Sequence, residues 1–315
     1  MTKKVLRICL TPVRNEEWII RRFLECTSLW ADHIILADQQ STDSTRKIAA
    51  TFPKVILIDN PVTEMFNEHE MRHRLFDHAR KIKGKKILFA LDADEAFTGN
   101  AFTTSAWRNL SKLAPGTIID FRWANLYPGA KKYWSPTHHL SKAFVDDGSP
   151  YQADKIHTNN IPTPPHARHH FISDFKILHY QYTDWQRMKS KQRWYQVWEW
   201  LNSPDKTAVQ IYRQYHHMDV ISKSEQGTVP KNWFEFYHQK NIDMTTINKT
   251  QYWWDSEVKR ILKDHPSGYF SSLEIHNDFK PIFLYLRLTQ RLHHTRIIRM
   301  VDKLISFLLP DPRKK

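Results

Sequence analysis

The sequence predicts an α/β protein, a mostly parallel sheet flanked by helices, followed by a helical C-terminal extension. Three observations predict it. Four short apolar runs, Val5 to Thr11, His33 to Ala37, Val55 to Ile58 and Ile87 to Leu91, alternate with stretches of helical periodicity. That is the pattern of βαβ units around a parallel sheet. The fourth run ends abruptly in Asp92, Asp94 and Glu95, and ligand sites in open α/β sheets lie just outside the carboxyl ends of strands. From Thr183 the composition turns aromatic and helical. The boundary is therefore placed near Tyr182, with 1–182 as the α/β domain and 183–315 as the extension.

The elements follow in order. After the first strand, Asn15 is placed to cap a helix over Trp18 to Leu29, whose apolar stripe is Ile19, Ile20, Phe23 and Leu24. The second strand ends at Asp38, and a polar turn leads into a helix from Ser44 to Ala50. The third strand is broken by Pro61, and Phe66 to Lys83 carries helical spacing in Met71, Leu75, Phe76, Ala79 and Ile82. The run Ile87 to Leu91 suits a strand buried on both faces. Ala101 to Leu113 reads as helix, Thr117 to Trp123 and Lys142 to Val145 as strands, and Ser149 to Ala167 as a long loop. His170 to Tyr180 reads as a final strand, and Trp185 to Leu201 begins the helical extension.

Composition narrows the chemistry. The formal net charge is +14, so an anionic partner is expected. The chain has only two cysteines, Cys9 and Cys26, both in apolar segments. They read as reduced core residues of a cytosolic protein. No signal peptide or membrane-spanning run is visible. Glycine is scarce, 7 in 315 residues, and there is no Gly-rich phosphate loop. A bound nucleotide would need another holder for its phosphates, and a metal would serve.

The acidic stretch can supply one. Clustered carboxylates repel one another unless a cation offsets them. Hard oxygen ligands suit Mg²⁺ or Mn²⁺, which share one or two carboxylates with substrate phosphates. The competing reading is a solvated acidic turn after a strand.

Four motifs in order then carry a resemblance. They are Thr11-Pro12-Val13-Arg14-Asn15-Glu16-Glu17, the segment Ile34 to Thr45 containing Asp38-Gln39-Gln40-Ser41-Thr42-Asp43, Arg72 on its helix, and Asp92-Ala93-Asp94-Glu95. Together residues 6–97 resemble the nucleotide-binding half of a family 2 glycosyltransferase of GT-A fold, in a bacterial subgroup with an Asp-x-Asp-Glu motif. The resemblance implies metal-dependent, inverting transfer of a sugar from a nucleotide-sugar donor to a glycan or lipid-linked acceptor, in cell-envelope polysaccharide or lipopolysaccharide synthesis. It implies donor contacts from Pro12, Arg14, Glu16, Asp38, Arg72 and Asp92. It implies a divalent metal, Mn²⁺ or Mg²⁺, held by Asp92, Asp94 and the late His179. Gln39 and Gln40 depart from the usual Asp and Gly, and Arg14 stands where an aromatic residue is common. For the base that takes the acceptor proton, Asp154 and His157 are the candidates, with Asp146 and Asp147 as alternatives.

The segment from Phe279 to Leu309 mixes Arg and Lys with apolar residues and has no acid before Val301. It could lie on the inner face of an anionic membrane, or pack on the protein with a solvated basic face. Two other functions were weighed. A sugar-phosphate nucleotidyltransferase would need a Gly-rich loop near the N-terminus, which is missing. A basic nucleic-acid-binding module would need charge in a stripe with exposed aromatics, and the acidic motif speaks against it.

Overall fold

The computed structural model describes residues 4–61, 68–152, 159–275 and 280–314. The first elements are β1 (Leu6–Val13), α1 (Ile20–Ser28), β2 (His33–Asp38), α2 (Thr45–Ala49), β3 (Val55–Asp59), α3 (Glu68–Lys81) and β4 (Lys86–Ala90). Then come β5 (Glu95–Phe97), α4 (Ser105–Asn109), β6 (Thr117–Phe121), β7 (Trp123–Leu126), β8 (Lys132–Trp134), β9 (Leu140–Val145), β10 (Arg168–Phe171) and β11 (Ile177–His179). The chain continues through α5 (Trp185–Asn202), α6 (Ala208–Tyr215), β12 (Gly227–Thr228), α7 (Asn232–His238), α8 (Trp253–Lys263), α9 (Pro281–Thr289) and α10 (Arg296–Leu308). Two compact units result: residues 1–183 with 227–250, and residues 184–226 with 251–315. Residues 227–250, expected within the extension, thus group with the sheet.

The first unit is a mixed, mostly parallel α/β sheet flanked by helices. Its large sheet runs β10-β6-β9-β4-β1-β2-β3, and a smaller one runs β12-β8-β7-β11-β5. The strands β1 to β4 are parallel to their neighbours in this set, as the alternation of runs and helices predicts. Side chains alternate between the two faces of a strand. Cys9, Ile34, Leu36, Ile87 and Phe89 share one apolar cluster with Ile20, Phe23 and Leu24 of α1. Ile8, Leu10, Ile35, Ala37, Leu88 and Ala90 share the other with Leu75, Phe76 and Ala79 of α3. Both faces are covered, so these strands are continuous apolar runs rather than alternating ones. Cys9 and Cys26 are buried free thiols, and burial pushes the Cys9 thiol up to about 12.

Three expected elements divide differently. Thr117 to Trp123 is two strands: β6 lies in the large sheet and β7 in the small one. His170 to Tyr180 breaks the same way into β10 and β11. An apolar pattern cannot tell a continuing strand from one that crosses between sheets, because only the pairing partner differs. Ala101 to Leu113 holds the short α4, flanked by tight 3₁₀ turns. Thr104 caps α4 by accepting from the Trp107 N–H at 3.1 Å.

Asn15 does not cap α1. It takes a left-handed φ of 55°, and its side-chain oxygen accepts from the Thr42 N–H at 2.7 Å in the loop after β2. Asn is among the few residues that tolerate this conformation.

The second unit is helical. Val209 and Tyr212 of α6 pack against Phe283 and Leu286 of α9, with Ile305 and Leu309 at the margin. No described helix is long and apolar enough to cross a membrane.

Candidate functional site

The site forms where β4 ends and the small sheet begins. The Glu95 N–H bonds back to the Asp92 carbonyl at 2.9 Å, turning the chain from β4 into β5. In the small sheet His179 of β11 lies opposite Glu95 of β5 on one side. On the other side it lies opposite Asn125 of β7. Directly opposed residues share a face, so the ladder itself gathers Glu95, His179 and Asn125. Trp123, two residues before Asn125, falls on the same face and stacks on the His179 ring, with centroids 4.4 Å apart.

Glu95 is wholly buried and fully used. One carboxylate oxygen accepts from the Trp123 indole N–H at 2.6 Å. The other accepts from the Asp92 N–H at 2.9 Å and from Lys142 Nζ at 2.8 Å. Lys142 also reaches Asp92 at 3.1 Å, and the buried Arg72 of α3 meets the other oxygen of Asp92 at 3.1 Å. Burial works against the Lys142 ammonium, but Asp92 and Glu95 outweigh it and hold its pKa above the ordinary lysine value. Burial pushes the Glu95 carboxyl up, against the pull of Lys142. Two of the three acids are therefore balanced by protein cations.

Asp94 is placed differently. Its carbonyl accepts from the Tyr180 N–H at 2.8 Å, and its carboxylate Oδ2 stands 3.6 Å from His179 Nε2. The His179 Nδ1 is 2.7 Å from the Asn125 side-chain oxygen. That contact makes Nδ1 the protonated nitrogen and turns the Nε2 lone pair toward Asp94, the second-shell arrangement usual for a metal-bound histidine. One carboxylate oxygen and one imidazole nitrogen at this separation suit a single cation between them. Among the described residues no group of three or more His, Cys, Asp or Glu side chains is arranged to hold a metal. A two-ligand site fits Mg²⁺ or Mn²⁺ completed by water and phosphate oxygens, rather than an all-protein cage.

A second cluster sits at the ends of β1, β2 and β3, where Val13, Asp38 and Asp59 lie in register. Asp38 is buried. Its Oδ2 accepts from the Ser41 N–H at 3.1 Å and from Arg46 at 2.8 Å, and Arg46 also reaches Asp59 at 2.9 Å. Its Oδ1 is buried with no partner among the described residues. A buried acceptor without a donor is costly, which suits an oxygen awaiting a ligand N–H or O–H.

The two loops here are laced together. The Asn15, Glu16 and Glu17 N–H groups donate to Ser41, Thr45 and Asp43, and Glu17 accepts in return from the Ser44 N–H. Gln40, standing where the resembling family has glycine, still takes a left-handed φ of 55°. Pro12 pairs with Ala37 in the ladder, Arg14 is half-buried beside it, and Glu16 accepts from the Trp18 indole at 2.6 Å.

The structure thus brings Arg72, Asp92, Asp94 and His179 together, and Pro12, Arg14, Glu16 and Asp38 together at the neighbouring strand ends. Asp154 and His157 lie outside the described residues. Asp146 is held by Arg80 at 3.0 Å and has Lys86 at 3.9 Å. Sequence reasoning missed Lys142, Trp123, Asn125 and Arg46. A lysine inside the apolar strand Leu140–Val145 was the one visible signal, since buried lysines are rare unless paired.

No family model matches this chain and no curated protein matches it. Among solved structures, it is similar to glucosyl-3-phosphoglycerate synthase from Mycobacterium tuberculosis in complex with phosphoglyceric acid. The identity there is 18%, the TM-score 0.27, and the match covers 40% of this chain and 45% of that one. The chain therefore spans less than half the length of that synthase. It is also similar to a mannosyltransferase from Pyrobaculum calidifontis in complex with GDP-mannose and Mn²⁺, at 14% identity and TM-score 0.38, covering 98% of this chain and 86% of that one. At these scores neither likeness carries an activity over to this chain.

Proposed function

We propose that this chain is a GT-A glycosyltransferase that moves a sugar from a nucleotide-sugar donor to a glycan or lipid-linked acceptor. The observation that carries the reading is the Asp94–His179 pair at the end of a parallel strand, with its histidine oriented by Asn125. Asp94 and His179 hold a divalent metal, Mn²⁺ or Mg²⁺. The metal would supply positive charge to the diphosphate leaving group.

The chain's own residues do the rest. Asp38 accepts from the nucleoside through its unpartnered Oδ1, while Arg46 keeps that carboxylate ionised and fixed. Pro12, Arg14 and Glu16 border the same donor end. Arg72 and Lys142 grip Asp92 on its two oxygens, which leaves it rigid beside the metal ligands and able to meet the donor ribose or the metal. Preorganised groups of this kind act because nothing need move as charge develops. An inverting displacement needs a base for the acceptor hydroxyl, and Asp154, with His157 positioning donor or acceptor, is assigned that task. The setting is cell-envelope synthesis at the inner face of the membrane, with region 279–315 in peripheral contact with anionic lipid.

The test is donor binding. Thermal stabilisation by a panel of nucleotide sugars should require Mn²⁺ or Mg²⁺, and Asp94→Asn should abolish it without lowering the melting temperature of the free protein by more than a few degrees. Metal-dependent donor binding that survives in Asp94→Asn refutes the site.

A further inference from the structure

Helix α10 has two apolar faces, and only one is covered. Its inner face, with Ile305 and the following Leu309, packs beside Val209 and Tyr212 of α6. Asp302, the only acid of the helix, is turned inward to Arg213 at 2.8 Å, and Ser306 reaches Thr207 at 3.1 Å. The outer face carries Ile297, Met300, Leu304, Phe307 and Leu308, at spacings that keep them on one stripe. All five are exposed, Phe307 at 86%. An ordinary surface helix turns charge outward and one apolar face inward. This one is packed and still shows apolar side chains to the outside.

What borders the stripe identifies its partner. Arg296, Arg299 and Lys303 are all exposed and line one edge of it. Leu288 of α9 is 73% exposed, with exposed Arg287 and Arg291 on the same helix. Between Lys280 and Lys314 the sequence has eight Lys or Arg against two acids, and both acids are taken by buried arginines, Asp302 by Arg213 and Asp311 by Arg313. A second copy meeting this face would set cations against cations, which disfavours association. Large apolar side chains beside Lys and Arg on one helix suit the boundary between acyl chains and anionic headgroups.

We propose that the outer face of α10 is the membrane-docking element. Ile297, Met300, Leu304, Phe307 and Leu308 enter the acyl boundary of an anionic bilayer, and Arg296, Arg299 and Lys303 lie at its phosphates. This deepens the contact proposed above for region 279–315 and rests on it, but not on the sugar-transfer reaction.

The experiment is co-sedimentation of the full chain with phosphatidylcholine vesicles, with and without phosphatidylglycerol, in the absence of metal and donor. The wild-type protein should bind only the anionic vesicles, and salt should weaken binding by screening. The double variant Leu304→Ser with Phe307→Ser should lose about tenfold or more in partition, since both side chains are exposed in the free protein and stabilise only the docked one. Arg296→Gln with Arg299→Gln and Lys303→Gln should lose ~10²-fold, about fivefold per charge. Unchanged circular dichroism and melting temperature keep either loss from being misfolding.

Wild-type binding that neither variant weakens overturns the assignment to α10 while leaving the regional contact standing. Absence of binding to anionic vesicles overturns both. A concentration-dependent dimer that Phe307→Ser dissociates, with no vesicle binding, makes a second copy the occupant and also overturns the proposal. Donor binding in solution is unaffected by any of these results, so the transfer reading is judged separately.

Discussion

Replacing Lys142 by methionine tests the electrostatic logic of the site. The ammonium lies 2.8 Å from Glu95 and 3.1 Å from Asp92. At an effective dielectric of ~20, one such contact at 2.8 Å is worth about 6 kcal/mol of gross attraction. Desolvation of the ammonium offsets several kcal/mol of this. Methionine keeps most of the volume but leaves Glu95 as a buried carboxylate whose remaining donors are the Asp92 N–H and the Trp123 indole. Breaking a buried pair by removing one partner typically costs ~3–5 kcal/mol. Asp92 is half-exposed and contributes the smaller part.

The pH dependence fixes the sign. Glu95 already has a raised folded-state pKa because of burial, and loss of Lys142 raises it further. A group with a raised folded pKa favours folding below its unfolded pKa and loses that contribution as pH rises through the folded value. Lys142→Met should therefore be close to wild type in mild acid, where Glu95 takes up a proton, and fall behind as pH climbs. The assay is urea unfolding at a series of pH values, compared with the double variant Lys142→Met with Glu95→Gln, which should recover most of the loss. A Lys142→Met protein within 1 kcal/mol of wild type at neutral pH, or a gap that widens toward acid, would refute the reasoning.

Three further outcomes are expected. Asn125→Leu removes the acceptor that orients His179 and should weaken Mn²⁺ binding ~10–100-fold by calorimetry; unchanged affinity would exclude His179 as a ligand held this way. Asn15→Ala removes the acceptor of the Thr42 N–H and places alanine at a left-handed φ, so it should cost about 1–2 kcal/mol in chemical denaturation, and a neutral effect would show that the two loops do not depend on this contact. Asp154→Asn should lower kcat ~10²–10⁴-fold with donor affinity nearly unchanged. Normal turnover in that variant, together with a dead Asp146→Asn or Asp147→Asn, would move the role of base to the earlier pair.

The amino-acid sequence by itself determined the parallel core and the place of the acids. The runs Ile34 to Ala37 and Ile87 to Leu91 are apolar at every position because helices cover both faces of the sheet. A run of that kind, ending in Asp92-Ala93-Asp94-Glu95, announces a strand and its ligand end without any tertiary information. Asp38, Arg72 and His179 were legible because they stand at strand ends or in recognisable motifs. The loop exchange at Asn15 was not, because its partner Thr42 is 27 residues away, and a local pattern offers Asn15 only the nearer role of helix cap.

Tertiary structure alone decided the roles within the acidic cluster. Three carboxylates in four residues look alike in sequence. Lys142 arrives from 47 residues beyond Glu95 and Arg72 from 20 residues before Asp92, and they neutralise those two acids. His179, brought to the third by the pairing of β11 with β5 and β7, leaves Asp94 facing an imidazole. The same limit explains why β6 and β7, or β10 and β11, read as single strands: periodicity reports which face of a strand is buried, not which sheet it joins. At α10 the sequence showed an amphipathic basic helix, but which apolar side chains were covered depended on where α6 lies. Burial is a property of contacts between distant segments, and no local pattern carries it.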